Sequence, residues 1–156
     1  MFRIETEKEL LQAFRPRDRD KVELPKELRF PLFVRDYLAW ADPAGPRVFL
    51  LCHSPDGKSP MGIAFRRDQS GGSSPSQMCD WCHSHGSSNE IGLLTTDVNS
   101  KRRVGANLCL DLRCREKMES AADLSGRHFR DLVPPVLERM RRFAREALGI
   151  ESVPAP

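Results

Sequence analysis

Four of the five cysteines in this chain fall into two tight pairs, Cys79/Cys82 and Cys109/Cys114, and no other feature limits the fold as strongly. Cys79-Asp80-Trp81-Cys82 spaces two thiols by a two-residue loop, and Cys109-Leu110-Asp111-Leu112-Arg113-Cys114 by a four-residue one. Four thiolates on short loops can close a tetrahedral zinc shell. The alternative use of cysteine is crosslinking. A chain of 156 residues is large enough to bury a core without disulfides. Its start, Met1 to Glu9, has no apolar stretch of signal-peptide length. The thiols therefore point to a metal in a reducing, cytoplasmic setting.

The surroundings of the pairs sharpen this reading. Ile91–Thr96 and Arg103–Leu110 are apolar runs separated by the turn Asp97-Val98-Asn99-Ser100, the pattern of a hairpin. Residues Arg115 to Glu119 favour helix. A knuckle, a hairpin and a ligand pair at a helix start follow one another in treble-clef order, and a helix N-terminus stabilises thiolate charge. A redox Cys-x-x-Cys would need a strand-then-helix setting, whereas Cys79 follows the Gly/Ser-rich stretch Gln69–Ser76, where a mobile loop is predicted.

A catalytic zinc keeps three protein ligands and an open position. Four cysteines leave none, so the metal reads as structural. The zinc-deaminase signature is missing too: there is neither His-x-Glu nor a proline before Cys79. His83 and His85 flank the first pair and leave open that one of them replaces a cysteine. Cys52-His53 are adjacent, but in a strand they face opposite sides, so Cys52 reads as a small core residue. The chain has no Gly-rich phosphate loop, Gly-x-Ser-x-Gly elbow or paired-carboxylate motif, and reads as non-enzymatic.

The rest of the chain suits an α+β domain with a small antiparallel sheet. Thr6-Glu7-Lys8-Glu9 is a capping box, followed by the helical stripe Leu10, Leu11 and Phe14. Pro25–Arg29 suggests one further helical turn. Three short apolar runs, Leu32–Trp40, Val48–Cys52 and Met61–Arg66, are separated by turn clusters and predict a meander. Apolar residues from Phe129 to Ala147 fit one helical face, and the long helix is expected to begin near Asp131 as N-cap, so that Pro134 and Pro135 fall in its first turn, and to stop at Gly149. The division expected is a helical segment over residues 1–30 and a zinc-finger domain over 31–156, forming one compact unit. No apolar run reaches the roughly 18–20 residues of a membrane helix.

Charge is unevenly spread. The net charge is +3, but Met1–Asn99 carries 13 basic and 14 acidic residues, and Ser100–Pro156 carries 12 and 8. The basic excess therefore lies beside and after the second cysteine pair, which suits an acidic protein or a nucleic acid as partner.

Several stretches resemble the C-terminal treble-clef zinc-finger domain of the elongation factor G-binding proteins, the family that includes the FusB-type fusidic acid resistance proteins. They are Met78-Cys79-Asp80-Trp81-Cys82-His83, Ile91-Gly92-Leu93-Leu94-Thr95-Thr96-Asp97, Arg102-Arg103-Val104-Gly105 and the pair Cys109/Cys114. Upstream, Tyr37–Asp42, Arg47–Leu51 and Met61–Ala64 agree, so the resemblance spans about residues 10 to 147. It implies a structural zinc on Cys79, Cys82, Cys109 and Cys114 and a module that binds elongation factor G, with an influence on the factor's release from the ribosome. Those relatives carry a helical bundle ahead of the zinc finger; here about 30 residues precede the first predicted strand.

Candidate partner-binding residues are Trp81, Lys101, Arg102, Arg103 and Phe129. Trp81 sits in a loop with little core to fill and is an interface-prone residue type. The basic triplet is expected on the same side of the hairpin as the knuckle, where it suits an acidic factor. Phe129 precedes the two prolines at an element boundary. The alternative reading is a zinc-finger binder of ribosomal RNA that uses the Arg-rich C-terminal half. Neither reading involves a membrane or a small-molecule substrate.

Overall fold

A computed structural model of the chain describes residues 2–43, 45–68, 77–87 and 89–150. The loop predicted over Gln69–Ser76 lies outside the described residues. The architecture is α+β, as expected. Its centre is a five-stranded antiparallel sheet of order β3-β4-β5-β8-β9, formed by Leu38–Ala41, Arg47–His53, Pro60–Arg67, Ile91–Asp97 and Arg103–Cys109. The first three of these strands are the predicted meander and the last two the predicted hairpin. The run Leu32–Trp40 is split. Its first part, β2 (Leu32–Val34), leaves the main sheet and pairs with β1 (Phe2–Ile4).

Strand alternation divides the core into two layers. Val48, Leu50 and Cys52 of β4, with Ile63 and Phe65 of β5, face the front, where α2 (Cys114–Ser125) and α3 (Phe129–Leu148) complete the larger cluster. Phe49, Leu51 and Ala64 face the back, where they meet Trp40 and the N-terminal segment. Within that segment α1 (Glu7–Ala13) begins at Thr6, whose hydroxyl accepts the Glu9 N–H at 3.1 Å. The return arm of the box differs from expectation: the Glu9 carboxylate accepts from the Glu5 N–H, at 2.8 Å. The extra turn predicted at Pro25–Arg29 is only a bend closed by Leu28 N–H to Pro25 C=O, and the short helix forms earlier, at Arg19–Lys21.

The long helix also starts earlier than predicted. His128 is its N-cap, and Pro134 and Pro135 lie inside it. Each proline lacks the N–H that would bond the carbonyl four residues back, on Arg130 and Asp131. All four residues are exposed, so solvent can satisfy those carbonyls and the helix continues. It stops at Gly149, whose φ of 68° is the left-handed cap glycine favours. No helix among the described residues is long and apolar enough to cross a membrane.

The contact that seats the N-terminal segment is unusually tight. Phe14 bridges to Gly62 of β5, and a Cβ built at Gly62 would lie 2.5 Å from the Phe14 ring. Gly62→Ala is therefore expected to displace Phe14 and destabilise the protein by about 1–3 kcal/mol, the usual cost of overpacking. Denaturant unfolding followed by Trp fluorescence measures this; an unchanged midpoint would show that the ring is not held there.

Candidate metal centre

Three separate stretches deliver the four sulfurs. The knuckle Cys79–Cys82 lies between the two-residue strands β6 (Gln77–Met78) and β7 (His85–Gly86), which pair with each other. Its turn is closed by His83 N–H to Cys79 C=O and by Cys79 N–H to Ser84 C=O, both 2.9 Å. The Cys82 N–H points at the Cys79 sulfur, 3.5 Å away. Asp80 fastens the knuckle to the hairpin: its N–H donates to Asn107 C=O at 2.7 Å, and its carboxylate accepts the Asn107 N–H at 3.1 Å. Cys109 ends β9, and Cys114 is the first residue of α2.

The sulfurs of Cys79, Cys82, Cys109 and Cys114 all lie within 4.8 Å of one another. Cys79 and Cys114 are 3.8 Å apart, and Cys82 and Cys109 3.7 Å. A tetrahedron with zinc–sulfur bonds of about 2.3 Å has edges of about 3.8 Å, so the donor set fits a zinc ion in both chemistry and size. His83 and His85 are exposed and stand outside this cluster. His83 instead adopts φ 60°, the left-handed position that closes the knuckle.

The four thiols shift one another's ionisation in opposite directions. Hydrogen bonds from Cys109 and Cys114 hold the Cys79 thiol down at about 7 and pull Cys82 lower still. Hydrogen bonds to Cys109, Cys79 and Cys82, with burial added, push Cys114 up. A divalent cation supplies the compensating charge, and the start of α2 adds the positive end of a helix dipole.

A buried tyrosine ties the second ligand turn to the sheet. The Tyr37 hydroxyl donates to Leu112 C=O at 3.1 Å and accepts the Arg115 N–H at 2.9 Å. The Arg115 guanidinium pairs with Asp36 at 3.3 Å and lies over the rings of Tyr37 and Phe129, 5.3 and 5.6 Å from their centroids. Sequence reasoning did not single out Tyr37 or Arg115. Nothing local marks them, because they lie 78 positions apart and meet only through the fold.

The candidate contact residues are placed differently from expectation. Trp81 does not project from its loop. It is 2% exposed and packs edge-on against Phe65 and Phe143, at 5.8 and 5.9 Å, while Arg139 donates to its carbonyl. The knuckle lies on the front of the sheet, so its apolar residue turns inward and Asp80 outward. Phe129 is half-buried against the core beneath Arg115. Lys101, Arg102 and Arg103 are exposed but lie at the far end of the hairpin from the sulfurs. Arg103 pairs with Asp97 at the turn and Cys109 with Ile91 at the other end, six residues or about 20 Å along the strand. Cys52 is 2% exposed, and burial pushes its thiol up to about 12.

Two outcomes test this centre. The protein is expected to bind one zinc per chain, more weakly at pH 5 than at pH 7.5, because protons compete for the thiolates; titration against a chromophoric chelator measures it. Cys52, a neutral thiol at pH 8, is expected to resist iodoacetamide in the folded protein, and labelling there at the rate of an exposed thiol would contradict its burial.

No curated protein matches this chain. A solved structure it is similar to is that of the fusidic acid resistance protein FusC, with 20% sequence identity and a TM-score of 0.49. The match covers 72% of this chain and 50% of the other, so this chain spans about half the length of that relative. The description FBP C-terminal treble-clef zinc-finger belongs to a family model that matches residues 7–148, from α1 to the end of α3, and the chain therefore belongs to that family.

Proposed function

We propose that this protein is a non-catalytic, zinc-ordered module that binds elongation factor G and influences the factor's release from the ribosome. The observation that carries the reading is the family match over residues 7–148 together with the four-sulfur cluster. Four protein ligands close the shell of a zinc ion, so its contribution is to folding free energy rather than to a reaction. A set of reduced thiols of this kind suits the cytoplasm, where translation takes place. Lys101, Arg102 and Arg103 form the exposed basic element on the hairpin turn and supply steering toward an acidic factor. Phe129 contributes at the edge of α3. Trp81 acts from inside, by holding the knuckle against Phe65 and Phe143.

The test is a calorimetric titration of purified elongation factor G into the protein, with and without a zinc chelator. A complex that forms with zinc and is lost on chelation is the expected result; no complex in either state rejects the reading. Substituting Lys101, Arg102 and Arg103 together by Ala is expected to weaken binding by about tenfold without lowering the unfolding midpoint. An RNA-binding module would behave differently: it would bind ribosomal RNA in the absence of the factor, with affinity falling steeply as salt rises.

A further inference from the structure

On the back of the central sheet the N-terminal segment packs on β3, β4 and β5 through Phe14, Trp40 and Phe49. Beyond it, among the described residues, Leu93 of β8 and Arg103, Gly105 and Asn107 of β9 are exposed, while Thr95 is buried. Register places Thr95 of β8 beside Arg66 of β5 and opposite Gly105 of β9, so Leu93, Thr95, Gly105 and Arg103 share this face with Arg66. Leu93 is 38% exposed, a large apolar side chain in the open. The Leu93 side chain leans over Gly105, where an added Cβ would lie 3.0 Å from it.

The charges at the border of this face are arranged oddly for a fold that needs only to be stable. Arg47 of β4 and Arg66 of β5 are direct cross-strand partners. Like charges placed opposite each other are destabilising. Among the described residues neither side chain has an ion pair or a hydrogen bond. Of the nearby acids, Asp97 holds Arg103 and Lys21, and Asp18 holds Arg15 and Lys21, while Asp68 shares the rim of the cleft with Arg66. Arg66, Thr95 and Arg103 line an open cleft of about 590 Å³, and Arg47 joins them in the adjoining one.

We propose that this exposed part of the back face is a docking surface for an acidic segment of a protein partner, in which Arg47 and Arg66 take carboxylates and the Leu93–Gly105 strip takes an apolar side chain. Guanidinium groups bind carboxylates bidentately, and an apolar centre with a charged rim is the anatomy of a protein interface. A single-stranded nucleic acid would want aromatic platforms and a basic track along its backbone. Among the described residues the exposed large apolar side chains are Phe33, Met78, Leu93 and Leu124, and the one on β8 or β9 is Leu93, which is not aromatic. The surface deepens the reading of the chain as a module for an acidic factor, and rests on it for the identity of the partner.

Arg47→Glu creates an opposite-charge pair with Arg66 in place of the like-charge one, so it removes the proposed contact while favouring the fold. The experiment titrates two ligands, purified elongation factor G and a fluorescein-labelled peptide of alternating Glu and Leu, into the wild-type chain, Arg47→Glu, Arg66→Ala and Arg142→Glu. Arg142 is an exposed arginine of α3, on the other side of the sheet. The expected result is a loss of about tenfold or more for Arg47→Glu, a smaller loss for Arg66→Ala, and a change within about twofold for Arg142→Glu. Arg47→Glu is expected to melt no lower than wild type. If the wild type fails to bind the factor, the elongation-factor reading falls, and the peptide alone decides this one. The proposal is overturned by any of four results: unaltered affinity of Arg47→Glu for a ligand that the wild type binds, an equal loss in Arg142→Glu, no binding of the peptide by the wild type, or tighter binding of a single-stranded RNA through the same two arginines.

Discussion

The convergence of four sulfur atoms is the constraint on which the second half of this structure depends. Residues 77–87, the hairpin β8–β9 and α2 meet around the four sulfurs, within the larger core cluster. The strands β6 and β7 are two residues each, and α2 starts without a side-chain cap. With the sulfurs within 4.8 Å of one another, the knuckle, the end of β9 and the start of α2 are pinned at one point. Four thiolates gathered this closely repel one another, and a divalent cation at their centre offsets that charge. The ion is thus part of the core, in the place where a larger domain would put apolar side chains.

The pin is not isolated from the sheet. Tyr37, just before β3, reaches the ligand turn through Leu112 and Arg115, and Arg115 extends the contact to Phe129 at the start of α3. On the other flank, Trp81 carries the knuckle onto Phe65 of β5 and Phe143 of α3. Two aromatic residues therefore translate the position of the metal cluster into the positions of the sheet and the long helix. Burial of the Tyr37 hydroxyl is tolerable because both its donor and its acceptor roles are used.

Much of this was legible in the sequence, for identifiable reasons. The cysteine spacing, the turn clusters and the period of the last helix are local signals, and they led to the four ligands, the meander, the hairpin and α3. What failed was direction. A two-residue loop gives no indication of which residue faces the sheet, and Trp81 was read as projecting when it faces inward. The triplet Lys101–Arg103 is expected on the knuckle's side of the hairpin, but the sequence pattern carries no distance, and a seven-residue strand puts about 20 Å between the two ends. The helix start was set by assuming that prolines need the first turn, whereas exposure of the partner carbonyls relaxes that need. Arg47 and Arg66 were invisible as a pair, because only the register of β4 on β5 brings them together.

These displacements share one consequence. The front of the sheet is occupied by the metal module and α3; around the sulfurs Trp81 and Leu112 are buried, while Asp80, His83, His85 and Arg113 face out. The two surfaces proposed above for a partner, the hairpin turn and the exposed strip of the back face, both lie away from the sulfurs. Asp80 and Asn107 fasten the knuckle to β9, and β9 runs from the ligand Cys109 to Arg103 at the turn. The basic turn and the Leu93–Gly105 strip therefore lie on the same two strands that carry one of the sulfurs, although no residue of either belongs to the cluster.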